Sequence, residues 1–434
     1  MEEITISDFT NTYYREYSMY TIENRAIPSY IDGFKPVQRK LLYSILNMPK
    51  GKEIKVAELG ASIASYYKHG ETSAQNAVVL MAAEYNNNIS LFNPEGSFGT
   101  RLVPESASPR YIFVSLSDNY DKLFYDNEVC EYKDEYEPTH YLPIVPFSLL
   151  NGISGVAVGF ACNILPRNID DVKKAMLEYL TKGKIKSEIR LKYPCYVGDI
   201  VKISDKKYQF NGKYTRIVKG KKVCYHITEL PINVSREKYF NKLNDLIERK
   251  VILDFEENCK DVFDFKVFAN EEQAANIDKD VLKSLYLIES ETENLTTLDE
   301  NGKLKVFNSV EELIQTFCDY RLKKIGEWLT YKVNELENKA KVLYLKQEYI
   351  KDVLANVIDF KKMDRKLLIQ HLLSKKIVDV EVCESTVNMP SYGFTTDNVA
   401  KLENDIKAIQ LEISTITQTN AKDLFITRLK NLKV

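Results

Sequence analysis

Side chains at positions 329, 333, 336, 340, 343, 347, 350, 354 and 357 keep a four-three spacing and are apolar except for Gln347. A repeat averaging 3.5 residues places all of them on one stripe of an α-helix, and such a stripe is stable only when buried against another. A second stripe follows, Val399, Leu402, Ile406, Ile409, Ile413 and Ile416, after a break at Pro390 and Gly393. Two long helices joined by a compact insert, residues 359–396, predict an antiparallel coiled-coil arm. Its first helix opens with Ser309 as N-cap and Glu312 as capping-box partner. At about 48 residues it spans on the order of 70 Å, given 1.5 Å per residue. A coiled coil of this kind is equally consistent with a purely structural role.

At 434 residues the chain exceeds one ordinary core and should form about three domains. Its net charge of −2 gives no hint of a nucleic-acid partner, but the charge is segregated. Residues 182–222 carry thirteen Lys/Arg against three Asp/Glu, whereas residues 254–301 carry four against fourteen. The basic stretch suits a polyanion or a solvated face. The seven cysteines form no C-x-x-C and none pairs with a nearby histidine, which argues against zinc and against a disulfide framework. A reducing, cytoplasmic location is expected, and the acidic N-terminus carries no secretory signal. Residues 141–166 hold no charged side chain, yet prolines 143 and 146 and glycines 152, 155 and 159 interrupt them. They read as a buried crossing between domains, not a membrane span.

Near the N-terminus, residues 8–24 read as a tyrosine-rich amphipathic helix. Asp32-Gly33 signals a turn, and Pro36 opens a helix with Arg39 and Lys40 on one side and Leu41, Leu42, Ile45 and Leu46 on the other. Further helices are expected over about 56–67 and 72–85, with Lys68 and His69 at the start of the third, where backbone N–H groups favour phosphate. With a two-stranded element around 96–116, the pattern matches a winged helix-turn-helix; a helical core with a basic rim is the alternative. Alternation of Tyr111, Phe113 and Ser115 against Ile112, Val114 and Leu116 reads as a strand, in which Arg110 flanks Tyr111 without stacking on it. A phenol, with a reference pKa near ~10, attacks phosphorus well only where cations stabilise the phenolate and the phosphate. Most of the 28 tyrosines can only be packing residues.

NRAIPSYIDGFKPVQRKLLY, YYKHGETSAQNAVVLMA, NPEGSFGTR, ASPRYIFVSLS, LLNGISGVAVGFACNILPRN and HITELP follow one another along the chain. In that order they resemble the breakage-reunion chain of type IIA DNA topoisomerases, the family of gyrase A and its topoisomerase IV relative. In length and motifs the chain is most similar to the medium subunits of T-even-like phage enzymes. The resemblance implies that Tyr111 is the nucleophile, forming a phosphotyrosyl bond to the DNA 5′ end, with Arg110 on the scissile phosphate. It places Arg25, Lys35 and His69 in the catalytic set, His69 near the reacting oxygen. Ile164 matches the isoleucine that intercalates and bends the gate DNA, an apolar wedge that lets the duplex wrap more protein. Arg39, Lys40, Lys68, Thr72 and Arg101 complete the expected DNA-binding set. Gln38 stands where bacterial relatives often have histidine, which weakens one phosphate contact. Thr72 and Asn76 replace the serine and acid of gyrase, and quinolones reach a metal–water bridge through that acid.

By the same resemblance the fold is α+β and multidomain. A winged-helix DNA-gate domain with the tyrosine covers residues 1–150, and a tower domain with an antiparallel sheet covers 151–308. The coiled-coil arm covers 309–434, its insert 359–396 being a small helical dimerisation domain. The basic sheet of the tower supports the DNA arms, and the acidic stretch 254–301 faces away. No strand carries the D-x-D and upstream glutamate of a metal-binding TOPRIM domain, and the glycines at 152, 155 and 159 lack the following Lys-Ser/Thr of a P-loop. Mg2+ and ATP are therefore expected on a TOPRIM/ATPase partner, with this chain as a homodimer on double-stranded DNA, in the host cytoplasm if phage-encoded. Without gyrase's DNA-wrapping domain, relaxation and decatenation are expected, not the introduction of negative supercoils. Two rivals are a non-catalytic DNA-bending dimer and a DNA-free coiled-coil scaffold.

Overall fold

The computed structural model describes residues 5–133, 135–220, 222–377 and 379–434. Helices and several antiparallel sheets give the α+β class expected from the sequence. The chain packs as two units, one running through Arg321 and resuming at Arg428, the other covering Leu322–Thr427.

In the first unit, Thr5 caps a helical run from Ile6 to Ala26 that widens into π turns at Thr10–Tyr14 and Ile22–Ala26. Pro36 sets the first turn of the helix Pro36–Leu46, and Gln38 Oε1 accepts the Lys35 N–H at 2.9 Å. The expected second helix stops early, at Val56–Ser62. Tyr66 and Tyr67 leave it because their rings find better partners: Tyr66 stacks on Tyr136 at 4.2 Å, and Tyr67 meets His69 edge-on at 5.0 Å. The third helix, Glu71–Ala82, ends where Asn87 Nδ2 donates to the Leu80 and Ala83 carbonyls. Beside these helices lies a three-stranded antiparallel sheet with Phe113–Leu116 between Ile54–Lys55 and Phe92–Glu95.

The Asp32-Gly33 turn is a structural knot. The buried Asp32 carboxylate accepts from the Phe34 and Tyr141 N–H groups and from Arg39 Nε and Nη2. Next to it, burial pushes the His140 imidazole down to about 4; Asp32 and Glu131 oppose the fall, while Arg39 and Lys133 add to it. Between that value and the ordinary one near ~6.5 the folded chain keeps this ring neutral while the unfolded chain binds a proton. The stability it contributes is therefore complete above the ordinary value and is lost as pH falls through the window. His69, also depressed, adds to the same slope. Thermal melts from pH 7 to 4.5 should show a falling Tm, and His140→Gln should flatten the decline; an unchanged slope would exclude this group as its source.

The charge-free segment 141–166 is a core crossing: Leu142, Ile144, Val145, Leu149 and Leu150 are buried, and no helix among the described residues is long and apolar enough to cross a membrane. It ends in the hairpin Ile153–Val156 and Ala161–Ile164. Beyond it, two sheets share the basic and acidic stretches. One orders Asp254–Glu257, Phe265–Asn270, Lys222–Glu229 and Lys213–Lys219; the other orders Ile288–Thr292, Lys207–Asn211 and Asp199–Ser204. Gly220 turns a hairpin, but Asn211-Gly212, a dipeptide that commonly closes one, does not, because the strands on its two sides belong to different sheets. The helix Arg236–Glu248 lays Tyr239, Leu243 and Leu246 on a core with Tyr225, Phe265 and Val267. Much of the acidic stretch is neutralised within the unit: Glu257 pairs with Arg236, Asp278 with Arg216, Glu289 with Lys242 and Glu293 with Arg167.

In the second unit the part of the long helix Val310–Leu354 beyond Arg321 and the helix Thr396–Gln418 bury Ile350, Ile406 and Ile409 from the spaced positions. At 45 residues the first helix is about 68 Å long. Gln347, the polar exception, is buried and donates to the Val399 carbonyl at 3.4 Å, a polar contact between the two stripes. The stripe stops short of its expected end: Leu354 is 41% and Val357 58% exposed, because the chain turns so that Ile358 can enter the core of the insert with Leu345, Tyr349, Leu368 and Cys383. Ser309 caps the helix as expected, its Oγ accepting the Glu312 N–H at 3.2 Å, but the Glu312 carboxylate accepts the Asn308 N–H at 2.8 Å instead of that of Ser309. Asp352 ties the insert to the long helix through His371 at 2.8 Å and Lys375 at 2.7 Å.

Candidate active site

Tyr111 does not lie in the strand. The strand begins at Phe113, and Tyr111 closes the preceding turn, its N–H donating to the Ser108 carbonyl at 2.9 Å. Two bonds hold this turn to the start of the helix Val56–Ser62: Val56 N–H to Ile112 O and Ala57 N–H to Pro109 O, each 3.0 Å. The buried Ile112 and Val114 fix the strand behind it. Tyr111 itself is 66% exposed, which leaves the hydroxyl free to meet a ligand. Because a turn carries no strand alternation, Arg110 does stack: its guanidinium carbon lies 4.8 Å from the Tyr111 ring centroid. That corrects the expected flanking arrangement and places a cation against the phenol. Upstream, Gly99 (φ +85°) lets the loop close on Pro104, whose carbonyl would lie 2.5 Å from any Cβ there.

Arg25, exposed on the π turn Ile22–Ala26, forms a second basic group with His69. Burial lowers the His69 pKa and the Arg25 charge lowers it further, so the ring is held neutral at neutral pH. Its Nε2 lies 3.4 Å from the Tyr20 hydroxyl. Lys68 and Thr72 are exposed on either side of Gly70, the N-cap of the helix Glu71–Ala82. Lys35 is partly enclosed, and burial lowers its pKa. Among the described residues neither Arg25 nor Lys35 forms an ion pair, and no hydrogen bond or ring contact joins either to Tyr111.

Four of the expected DNA-binding residues are paired or buried within the protein. Arg39 is bound to Asp32 by two bonds, of 2.7 and 3.0 Å, and to the Phe34 carbonyl; burial alone would lower its pKa, but the Asp32 carboxylate holds it raised. Lys40 is paired with Glu137 and rests over the Tyr66 ring. Arg101 bonds Glu229 at 2.7 Å and the Cys195 and Leu230 carbonyls, while lying over Tyr196 and Phe263. These three cations anchor the fold. Ile164 is only 2% exposed, opposite Ile153 in the hairpin, on the wall of a cleft of about 890 Å3. The next residue explains why: the Leu165 N–H is held at 3.1 Å by Glu293, itself buried against Arg167.

Residues 25–431 match the family of A-type chains of DNA gyrase and topoisomerase IV. The chain belongs to that family. It is 36% identical over 405 residues to the DNA topoisomerase medium subunit of Enterobacteria phage T4, covering 90% of each chain. It is 31% identical over 459 residues to the mitochondrial DNA topoisomerase 2 of Dictyostelium discoideum, covering all of this chain but 35% of that one. Among solved structures, the DNA-binding, cleavage and re-ligation domain of Plasmodium falciparum topoisomerase II superposes with a TM-score of 0.87 at 25% identity, over 98% of this chain and 63% of the other. The chain thus matches the phage protein along most of its length but only part of the longer topoisomerases.

Family membership sharpens what the arrangement can do. An exposed phenol with a guanidinium on its ring can approach a phosphate, and the unpaired Arg25 and Lys35 can hold an anionic backbone. Among the described residues no three His, Cys, Asp or Glu side chains gather as metal ligands would. Sequence reasoning missed Tyr20, whose contact with His69 spans 49 residues and carries no local signal.

Proposed function

We propose that this chain is the DNA cleavage-religation subunit of an ATP-dependent type IIA topoisomerase, working as a homodimer with a TOPRIM/ATPase partner. One observation carries the reading: an exposed Tyr111 with Arg110 stacked on it, in a chain of the gyrase and topoisomerase IV A-type family. The Tyr111 oxygen attacks a backbone phosphorus, the phosphotyrosyl bond forms as the bond to the 3′ oxygen breaks, and Arg110 stabilises the crowded anionic phosphate. His69, neutral, hydrogen-bonds near the reacting oxygen, and Arg25 and Lys35 hold flanking phosphates, aided by Lys68 and Thr72. Resealing reverses the exchange: the 3′ hydroxyl attacks the phosphotyrosine and the ester energy is conserved, so religation needs no ATP. Two chains cutting opposite strands open a gate for a second duplex, giving relaxation and decatenation.

In this reading residues 1–150 are the winged-helix DNA gate, 151–308 the tower and 309–434 a coiled-coil arm whose insert provides a dimer contact. Mg2+ and ATP sit on the partner, and the assembly works in the cytoplasm. The test is to mix the chain, a TOPRIM/ATPase partner, Mg2+ and supercoiled plasmid, then denature with detergent. Protein-linked linear DNA is expected. A salt-sensitive band shift that leaves no covalent product would instead favour the non-catalytic bending dimer.

A further inference from the structure

Two tyrosines flank the His69 ring. Tyr67 meets it edge-on with ring centroids 5.0 Å apart, and the Tyr20 ring lies at 6.1 Å with its hydroxyl 3.4 Å from Nε2. That contact is the only hydrogen bond to the ring among the described residues. Tyr67 is two residues away in the chain, whereas Tyr20 comes from the helix Arg15–Thr21, just ahead of the π turn Ile22–Ala26. On an α-helix, side chains five residues apart point about 140° away from one another. The π turn, closed by the Ile27 N–H on Ile22 O at 3.4 Å, takes up an extra residue and turns Arg25 back toward the side of Tyr20. Tyr20 and Arg25 therefore both act on His69, one through a hydrogen bond and the other through its charge.

A neutral imidazole carries one N–H and one lone pair, and the bond made by one nitrogen decides which of them the other presents. Burial, reinforced by the Arg25 charge, keeps His69 neutral. The phosphate oxygens of a DNA backbone accept hydrogen bonds and cannot donate them. With Nε2 engaged by Tyr20, Nδ1 is the nitrogen left to meet such an oxygen, and it can do so only as an N–H. A phenol that donates to Nε2 enforces that state. Were Nε2–H to donate to the phenol instead, Nδ1 would turn a lone pair toward the anionic strand. Resting on the reading of this chain as a DNA cleavage subunit, we propose that Tyr20 is a positioning residue whose O–H donates to His69 Nε2 and fixes the ring proton on Nδ1, the donor offered to the reacting phosphate.

The experiment has two readouts on the full chain. Long-range nitrogen–proton correlation spectra of the DNA-free chain, labelled with 15N in its four histidines, give the tautomer of each ring at neutral pH, with His69→Gln identifying the signal. The trapping assay with the TOPRIM/ATPase partner, Mg2+ and plasmid gives the rate of covalent product. Wild type should carry the His69 proton on Nδ1. Tyr20→Phe keeps the ring and loses only the hydroxyl. It should move His69 to the Nε2–H form and slow covalent product about fivefold, the worth of one hydrogen bond, with duplex affinity unchanged. Tyr17→Phe, one turn earlier on the same helix, should match wild type in both readouts. Wild-type His69 protonated on Nε2 overturns the proposal, as does a Tyr20→Phe chain with unchanged tautomer or unchanged rate. A Tyr20→Phe chain that loses duplex affinity along with rate assigns the hydroxyl to binding or folding and overturns it too. Wild-type chain that forms no covalent product brings down the cleavage reading itself, a different failure, since the His69 tautomer is read without DNA.

Discussion

Tyr111→Phe is expected to reduce DNA-linked protein to background while leaving duplex affinity within about twofold of wild type. The substitution deletes one oxygen atom. That oxygen is the proposed nucleophile, and no other group on the turn can replace it: Ser108 lies three residues back and Arg110 cannot form a stable ester. The rest of the turn survives, because the phenyl ring still carries the Arg110 guanidinium and the bonds from Val56 and Ala57 are to backbone carbonyls. The folded state should therefore keep its stability to within about 0.5 kcal/mol, as for other exposed substitutions. Arg110→Ala should be intermediate: covalent product still forms, but more slowly by about 10²–10³, the range seen when one preorganised charge-stabilising donor is removed. Equal loss in both variants would mean that Arg110 does more than stabilise charge.

The second large effect concerns stability. Asp126, buried and in the left-handed region at φ +62°, accepts from Arg321 Nη2 and Arg428 Nη1, each at 2.8 Å. Arg321 is fully buried, and burial lowers its pKa despite Asp126. Asp126→Asn keeps a residue that tolerates the left-handed backbone but removes the charge that compensates a buried guanidinium. Breaking such a pair from one side costs about 3–5 kcal/mol, so the urea midpoint should fall steeply with little change in slope. Asp126→Ala should cost more, since it adds backbone strain. A loss below about 1 kcal/mol for both would show that the pair contributes no more than a surface ion pair.

These outcomes separate what the amino-acid pattern could reveal from what it could not. Positions spaced to lie on one helical stripe appear in the structure as half-buried or buried positions as far as Ile350, because periodicity is a local property. Leu354 and Val357 continue the spacing, and nothing local says that Ile358 will leave for the insert. The cations show the same limit. Arg39 and Arg101 look like DNA contacts because their chain neighbours are basic or glycine-rich. Arg101's partner, Glu229, lies 128 residues away, where a charge census cannot see it. Arg110 stacks on Tyr111 because a turn takes the place of two strand residues, a difference of boundary that reverses which side chains meet. The positions of Tyr111, His69 and Arg25 were legible through six motifs in a fixed order, a stronger signal than any one of them.

The most direct test of the account is to digest the trapped covalent complex with nuclease and protease and find which residue carries the nucleotide. A single phosphotyrosyl adduct is expected between Arg101 and Lys122, with fragmentation placing it on the exposed Tyr111 and leaving the buried Tyr120 unmodified. Nucleotide on any other tyrosine of the chain, or solely on the TOPRIM/ATPase partner, would contradict it.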